Sequence, residues 1–246
     1  MVTIGIAGAC GKMGKMIAGI ALKDSEVKIG LALERADCPQ AGKDLGEVLG
    51  SGVLDVAVSS DVKNVKDAGC IIDFTLPEPT LGHVKACVEA GVPMVIGTTG
   101  FTPEGEAAIK KASERIPIVF SPNMAAGVNI LFKIVAEAAK ALGPDFDIKV
   151  DETHHVHKKD SPSGTAKMIA RVIRESSGKD VPIEAFREGE VIGNHGIVFE
   201  GKFETLEIRH DAKSREAFAA GAVKAAKFLA GKRPGLYSMF DVLGIE

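Results

Sequence analysis

Short apolar runs alternate with helical patterns over the first half of the chain. Each run is rich in β-branched residues, which is typical of a buried strand. Between the runs, apolar residues recur at helical spacing, as in residues 12–22, 80–90 and 104–113. The predicted strands are residues 2–7, 27–33, 55–58, 70–74, 92–96 and 116–120. Strands that alternate with helices indicate a parallel, doubly wound sheet.

The pattern changes near residue 127, where a different type of layer begins. A long amphipathic helix is predicted at residues 130–142 and a strand at 146–152. Residues 191–200 and 202–210 then alternate with period two, which predicts antiparallel strands joined at Gly201.

These patterns together predict an α/β fold with two domains. The first is a Rossmann-type doubly wound parallel sheet that takes residues 1–126 and 213–246, including a helix at 215–230. The second is an α+β domain on a mostly antiparallel sheet at residues 127–212.

The composition argues against nucleic-acid-binding, membrane and disulfide-rich classes of protein. The 246 residues have a net charge of −3, which provides no basic field for nucleic acid. No apolar run approaches the ~20 residues of a membrane helix, and the N-terminus lacks the basic segment of a signal peptide. The four cysteines are scattered without a CxxC pair, so we expect buried free thiols, no metal site and a cytoplasmic protein.

A glycine-rich turn joins the first predicted strand to the first predicted helix. Gly8, Gly11 and Gly14 have GxxGxxG spacing, and Glu34 follows at the end of the second predicted strand. Glycines let backbone N–H groups approach a pyrophosphate at a helix N-terminus. Glu34 is 20 residues after Gly14, and a carboxylate at this sequence separation can bind the adenosine ribose hydroxyls. In this βαβ context, the loop predicts a dinucleotide site rather than a chance turn.

One carboxylate and two cations bear on the choice between NADH and NADPH. Glu34 favours NADH because it repels a 2′-phosphate, whereas the adjacent Arg35 can pair with that phosphate. Lys12 lies near the predicted phosphates and can help to hold either cofactor. We therefore expect NADH and/or NADPH, and a solvated surface role for Arg35 is the alternative.

Two further loops follow predicted strands. They are residues 97–100, with the sequence Gly-Thr-Thr-Gly, and residues 121–124, with the sequence Ser-Pro-Asn-Met. Open α/β sheets bind ligands at the carboxyl ends of their strands, so both loops are candidate cofactor contacts. Ordinary strand-to-helix turns are the alternative, since these residue types are common there.

Residues 151–166 contain the most distinctive chemistry. His154, His155 and His157 lie within four residues of one another, next to Lys158 and Lys159. Histidine titrates near neutral pH and suits proton transfer, and lysine supplies a cation for a carboxylate or a proton for a leaving group. Three histidines could also ligate zinc, but the segment lacks cysteine and HExxH spacing, so we favour proton transfer.

A helix start follows this cluster directly. Pro162 and the hydroxyl residues Ser161, Ser163 and Thr165 precede a helical pattern that continues through residues 166–170. The N–H groups of such a terminus bind anions. A protonatable cluster beside an anion-binding helix end predicts a site for an acidic small molecule, with a polar loop and a capped helix as the alternative.

These motifs resemble those of the dihydrodipicolinate reductase family of lysine and diaminopimelate synthesis, nearly from end to end. The strongest match is ETHHVHKKDSPSGTA at residues 152–166. The other matches are GACGKMG from Gly8, Asp73-Phe74-Thr75 with Pro77-Glu78, GTTGF from Gly97, SPNMAAGVN from Ser121, Arg187-Glu188-Gly189, Gly193-Asn194-His195 and the tail from His210 to Leu243.

The resemblance implies an NAD(P)H-dependent reductase that delivers hydride to ring C4 of a cyclic imine dicarboxylate, with water lost from the 4-hydroxy form. It implies His154 as proton donor or acceptor and Lys158 as a second catalytic residue that donates a proton. It implies substrate contacts at His155, Gly164 and Thr165, and a homotetramer formed through the sheet of the second domain. Residues 127–212 are thus the implied substrate-binding and oligomerisation domain. The implied cofactor contacts are Gly8, Ala9, Cys10, Gly11, Lys12, Met13, Glu34, Arg35, Gly97, Thr98, Thr99, Ser121, Pro122, Asn123 and Met124.

One departure from the family and two other functions keep alternatives open. The family loop usually has arginine where this chain has Lys12, and lysine lacks the bidentate fork, so the cofactor preference stays open. A dinucleotide sensor without activity is one alternative, but His154 and Lys158 argue against it because a sensor needs no proton donor. A reductase of another small acid is the second, and only the resemblance argues against it.

Overall fold

The computed structural model describes residues 1–245, which divide into two compact units. The first unit contains Met1–Met124 and Phe218–Gly244, and the second contains Ala125–Ala217 and Ile245. The sequence predicted boundaries after residues 126 and 212, whereas the units divide after residues 124 and 217. The first boundary thus lies two residues earlier than predicted, and the second lies five residues later. The helix that starts at Ala126 begins the second unit, and Ala212 N–H donates to Gly193 O, which holds the later segment to that unit.

The first unit alternates strands and helices as the sequence predicts. Its elements, with labels that follow chain order, are β1 (Val2–Ala7), α1 (Lys12–Ala21), β2 (Val27–Leu33), α2 (Leu45–Leu49), β3 (Val58–Ser59), a 3-10 helix (Val62–Asp67), β4 (Cys70–Asp73), α3 (Pro77–Ala90), β5 (Met94–Ile96), α4 (Pro103–Ala112), β6 (Pro117–Phe120), most of α7 (Glu216–Leu229), β11 (Gly235–Tyr237) and α8 (Met239–Leu243).

Seven parallel strands form the sheet of this unit in the order β11-β6-β5-β4-β1-β2-β3. Successive residues of β4 face opposite sides: Ile72 packs in a cluster with α1, α7 and α8, and Ile71 packs in a cluster with α3 and α4. Burying each such side chain contributes about 1.5–3 kcal/mol. Helices therefore cover both faces, and the prediction of a doubly wound sheet is confirmed.

The second unit packs two helices with a four-stranded sheet. Its elements are α5 (Ala126–Leu142), β7 (Asp147–His154), α6 (Gly164–Ser177), β8 (Ile183–Arg187), β9 (Asn194–Glu200) and β10 (Thr205–Asp211). The strand order is β10-β9-β7-β8, with antiparallel pairing except between β7 and β8. The sheet is mostly antiparallel, as expected, but β8, an edge strand of five residues, was not predicted.

Several predicted boundaries differ from the structure for local reasons. The strand predicted at 55–58 is limited to Val58–Ser59, because Asp55 has a φ of 56° and cannot continue an extended strand. The helix predicted from residue 80 begins at Pro77, which suits the first turn because proline has no N–H to satisfy there. No helix in the described part of the chain is both long enough and apolar enough to cross a membrane.

Gly14 allows α1 to lie directly against the turn that precedes it, and we expect Gly14→Ala to destabilise the protein. A Cβ there would lie 2.1 Å from Gly8 O and 2.7 Å from the Ala9 Cα, both backbone atoms that cannot rotate away. The expected loss in the free energy of unfolding is at least about 1–3 kcal/mol, measured by urea denaturation.

Gly19→Ala is the matched control on the same helix. A Cβ at Gly19 has no atom within 4 Å, so this substitution should stabilise the protein by about 0.5–1 kcal/mol through helix propensity. Equal stabilities for the two variants would contradict the close approach of α1 to the turn.

Candidate active site

Neighbouring strands of the first unit end at one edge of the sheet, where open parallel sheets bind ligands. Since β1, β2, β4, β5 and β6 are parallel neighbours, the loops that follow them share this edge. Every predicted cofactor residue lies in one of these loops or at the start of α1. These residues are Gly8–Met13 after β1, Glu34 and Arg35 after β2, Gly97–Thr99 after β5 and Ser121–Met124 after β6.

The loop after β1 has the geometry of an anion cradle. Gly8 has a φ of +73°, a conformation that favours glycine, and a Cβ there would lie 2.9 Å from Thr75 Cγ2. Gly11 is the N-cap of α1, so no side chain caps the helix, and the first turn contains no acidic residue. The helix N-terminus therefore presents its N–H groups and positive dipole end to a phosphate.

Glu34 connects this loop to the end of β2. Its carboxylate accepts hydrogen bonds from the backbone N–H of Cys10 at 2.9 Å and of Arg35 at 3.2 Å. A cleft of about 380 Å³ opens beside it, lined in part by Gly8, Arg35 and Thr75. This geometry fits a carboxylate that binds ribose hydroxyls.

Arg35 and Lys12 are both exposed. The Arg35 guanidinium pairs with Asp37 at 3.0 Å, and its side chain is 75% exposed. Lys12 lies at the first position of α1, next to the cradle. Pairing of Arg35 with a 2′-phosphate therefore stays a prediction beside its surface role.

Cys10 and Cys38 lie together beside Glu34, although they are 28 positions apart in the sequence. Their sulfur atoms and a Glu34 carboxylate oxygen all lie within 4.8 Å of one another. Burial raises the pKa of the Cys10 thiol to about 11, and nearby Cys38 and Glu34 act in the same direction. The sequence-based view of isolated thiols missed this pair, because the turn after β2 brings Cys38 back.

A buried hydrogen-bond network joins the ends of β4 and β5. The fully buried Asp73 carboxylate accepts hydrogen bonds from the hydroxyls of Thr75 at 2.6 Å and Thr80 at 3.1 Å, and its other oxygen lies 2.7 Å from His83 Nδ1. Thr98 Oγ1 accepts from the Thr75 N–H at 3.0 Å. The Thr98 hydroxyl is therefore occupied by hydrogen bonds within the protein. The predicted contact of Thr98 with the cofactor would come from its backbone.

The loop after β6 is also held by internal contacts. The Ser121 hydroxyl donates to the Asn123 carbonyl at 2.8 Å, and the Met124 side chain is buried in the core of the first unit. Any contact of Met124 with a cofactor would come from its backbone. The cofactor contacts of this loop stay predictions.

Glu152 is fully buried in the second unit and holds His154. The two side chains project from the same face of β7 because they are two residues apart. One Glu152 oxygen accepts from the Ser163 N–H at 3.0 Å and from Arg187 Nη1 at 3.2 Å, and the other contacts His154 Nδ1. This single carboxylate joins β7, the end of β8 and the start of α6.

Burial and neighbouring charges set the protonation of this pair. Burial favours the neutral form of Glu152, but the hydrogen bonds from His154 and Ser163 outweigh it and hold the pKa of Glu152 below its usual value. Burial lowers the pKa of His154, and nearby Lys158 and Arg187 act in the same direction against the raising effect of Glu152. At neutral pH we infer an anionic Glu152 and a neutral His154 with its proton on Nδ1, so that Nε2 has a lone pair.

Two further histidines and a glycine surround the His154 ring. A Cβ at Gly193 would lie 2.8 Å from His154 Nε2, so glycine is required for the observed position of the ring. The ring centroid of His195 lies 5.3 Å from that of His154 and 6.4 Å from that of His210. Burial, with His154 and His210 nearby, lowers the pKa of His195 to about 4, so this residue is neutral at physiological pH.

Lys158 and His155 lie just after the end of β7. The Lys158 ammonium pairs with Asp160 at 2.8 Å, and its charge reaches His154 strongly enough to lower the pKa of that residue. His155 Nε2 lies 3.4 Å from Arg215 Nη2, and its buried Nδ1 has no hydrogen-bond partner among the described residues. His154 and Lys158, the two predicted catalytic residues, are therefore close enough to influence each other electrostatically.

The predicted anion site coincides with the start of α6. The helix begins at Gly164, and its N-cap Ser163 accepts a hydrogen bond from the Ala166 N–H at 3.1 Å. Its first turn contains no acidic residue, and the space beside the Gly164 Cα is open. An anion can therefore approach the first turn of α6, where Gly164 and Thr165 lie.

Sequence reasoning assigned no role to Glu152, Arg187, His195 or His210, although each lies within motifs that match the family. The i, i+2 spacing of Glu152 and His154 was an available signal, but the predicted strand ended at residue 152. Arg187 had no such signal, because its contact with Glu152 depends on the parallel pairing of β7 with β8.

Both units of the chain match one protein family. Residues 2–124 match the family described as "Dihydrodipicolinate reductase, N-terminus", and residues 127–243 match "Dihydrodipicolinate reductase, C-terminus". The chain is 41% identical to the 4-hydroxy-tetrahydrodipicolinate reductase of Anaeromyxobacter dehalogenans (strain 2CP-C), an alignment that covers 100% of this chain and 99% of the relative. It is also 41% identical to the enzyme of that name from Syntrophotalea carbinolica, with 100% of both chains covered.

A solved structure is similar over almost the whole fold. Dihydrodipicolinate reductase from Paenisporosarcina sp. TG-14, described with dipicolinate bound, has a TM-score of 0.84 and 25% sequence identity, with 98% of each chain covered. The matches in sequence extend over both units, and the resemblance seen in the motifs is confirmed. The chain belongs to the dihydrodipicolinate reductase family.

Proposed function

We propose that this protein catalyses the NAD(P)H-dependent reduction of 4-hydroxy-tetrahydrodipicolinate to tetrahydrodipicolinate, with loss of water, in lysine and diaminopimelate synthesis. The observation that carries the proposal is His154, held by the buried Glu152 carboxylate beside the open start of α6. The names of the relatives support this reaction, and the dipicolinate bound to the solved relative supports a dicarboxylate substrate.

The loop after β1 fits the phosphates of a dinucleotide, because Gly8 and Gly11 leave the N-terminus of α1 open to an anion. Glu34 lines the adjacent cleft and would bind the adenosine ribose. When bound, the reduced nicotinamide supplies a hydride to the substrate. Arg35 pairs with Asp37 on an exposed surface and can exchange that partner for a 2′-phosphate, and Lys12 beside the loop can help to hold either cofactor. We therefore propose that the enzyme accepts NADH and NADPH.

His154 moves the proton in this proposal. Glu152 holds the Nδ1 proton, so Nε2 can accept a proton and later donate it as part of an imidazolium that the Glu152 carboxylate stabilises. Lys158 supplies a second proton or a cation for a substrate carboxylate. His155, Gly164 and Thr165 would orient the carboxylates, since the N-terminus of α6 favours negative charge.

We further propose that the protein acts in the cytoplasm as a homotetramer. The four cysteines are free thiols, which suits a reducing compartment. One face of the four-stranded sheet has Val198 at the centre of β9, between Lys149 and Glu207 on the adjacent strands. Half-exposed Phe186 lies farther out on the same face, which supports pairing of this sheet with a second copy.

The reaction is tested by following the oxidation of NADH and NADPH while the preceding synthase makes the unstable substrate from pyruvate and aspartate semialdehyde. We expect oxidation that requires both the synthase and this protein, with measurable rates for both cofactors. Cofactor binding by calorimetry without any oxidation would contradict the reaction but not the dinucleotide site.

His154→Gln should lower kcat by about 10²–10⁴-fold, because glutamine cannot transfer a proton. The Kd for NADH, measured by calorimetry, should stay unchanged. His157→Gln is the matched control, since His157 is exposed, lies three residues away and pairs only loosely with Glu190 at 3.5 Å. Full turnover in His154→Gln, or an equal loss in both variants, would contradict the proton-transfer role.

Val198→Asp should convert the tetramer to smaller species, because it places a charge at the centre of the proposed sheet interface. Sedimentation velocity measures the change. Val53→Asp, at an exposed position of the first unit, is the control and should leave the sedimentation coefficient unaltered. A wild-type monomer, or a Val198→Asp tetramer, would contradict this interface.

A further inference from the structure

We propose that Cys10, Glu34 and Cys38 form a binding site for a thiophilic divalent cation such as zinc or cadmium, at the edge of the dinucleotide loop. The site lies within the first unit and requires no residue of the proposed catalytic centre. Its existence does not depend on the proposed reaction.

The three donor atoms are already close to the separation that a metal ion needs. They lie within 4.8 Å of one another. Tetrahedral zinc, with Zn–S near 2.3 Å and Zn–O near 2.0 Å, places such atoms about 3.5–3.8 Å apart. Side-chain movements of about 1 Å or less would therefore complete three positions of a tetrahedron, and a water molecule would supply the fourth.

Backbone hydrogen bonds hold each donor residue in place. The Glu34 N–H donates to Ser59 O at 2.9 Å, and the Cys38 N–H donates to Arg35 O at 3.0 Å. The Cys10 N–H donates to the Glu34 carboxylate itself at 2.9 Å. The ligands are thus positioned by the sheet edge and two turns before any ion binds, which lowers the ordering cost of binding.

The donor set selects the kind of cation. Two sulfur atoms and one carboxylate oxygen suit borderline or soft ions such as Zn²⁺ and Cd²⁺, whereas Mg²⁺ and Ca²⁺ prefer oxygen ligands alone. Binding breaks each S–H bond, releases its proton to solvent and forms a metal–sulfur bond, with no change in oxidation state. The cation would also offset the mutual repulsion of three neighbouring anionic groups.

Occupation of this site should oppose dinucleotide binding, a consequence that rests on the proposed function. A metal ion would engage the Glu34 carboxylate that is proposed to bind the ribose, and would hold Cys10 within the phosphate loop. The cation would then act as an inhibitor that competes with NADH.

The site is tested by titrating the fully reduced protein with cadmium chloride alone and following the ultraviolet cadmium–thiolate charge-transfer absorbance. We expect saturation at one equivalent for the wild type. Cys10→Ser and Cys38→Ser should each weaken cadmium binding at least about tenfold, and Glu34→Gln should weaken it less. Asp37→Asn is the matched control, because Asp37 is an exposed carboxylate beside Cys38 that pairs with Arg35 instead.

Two outcomes would overturn the site. The first is the absence of stoichiometric cadmium–thiolate absorbance in the wild type. The second is an undiminished absorbance in the Cys10→Ser/Cys38→Ser double variant, which would place the ion on buried Cys70 or Cys87. We expect Cys38→Ser to keep the circular dichroism spectrum and the NADH binding of the wild type, which would show that this variant is folded. Cadmium should raise the Kd for NADH at least about tenfold in the wild type and leave it unchanged in Cys38→Ser. If neither the wild type nor any variant binds NADH, the proposed function fails, but the cadmium titration still decides whether the metal site exists.

Discussion

The buried carboxylate of Glu152 is the contact on which the arrangement of the second unit depends. It receives hydrogen bonds from a backbone N–H at the start of α6, from Arg187 on β8 and from His154 on its own strand. A buried charge is costly unless it is paired, so these donors must be in place when the unit is folded. Their convergence sets the tautomer of His154 and the position of the helix terminus at the same time.

The parallel sheet of the first unit imposes a comparable constraint on the dinucleotide loop. Because neighbouring strands run in the same direction, loops that are far apart in sequence end at one edge. The Asp73 network and the contact of Glu34 with the Cys10 N–H then fix those loops relative to one another. The same geometry that prepares Glu34 for a ribose brings the thiols of Cys10 and Cys38 to its side.

Most of the fold could be predicted, because hydrophobic periodicity reports directly on local structure. The alternation that predicted β1, α1 and β2 depends on residues within each element and needs no distant contact. The failures were elements without such a signal. Edge strand β8 has only five residues, which is too short for a clear alternation of polar and apolar positions. The left-handed backbone of Asp55 prevents the strand that the side chains of residues 55–58 alone would permit.

The sequence by itself determined the two kinds of layer, the glycine turn before α1 and the type of chemistry in residues 152–166, because each depends on residues that are close along the chain. It also determined the family, through motifs that extend over both units. Only the tertiary structure decided the partners: Arg187 and Ser163 for Glu152, His195 beside His154, and Cys38 beside Cys10. The physical reason is that strand register places Arg187 and His195, and the loops that follow β2 and β7 place Cys38 and Ser163. The spacing of residues along a single chain specifies neither register nor the path of a loop.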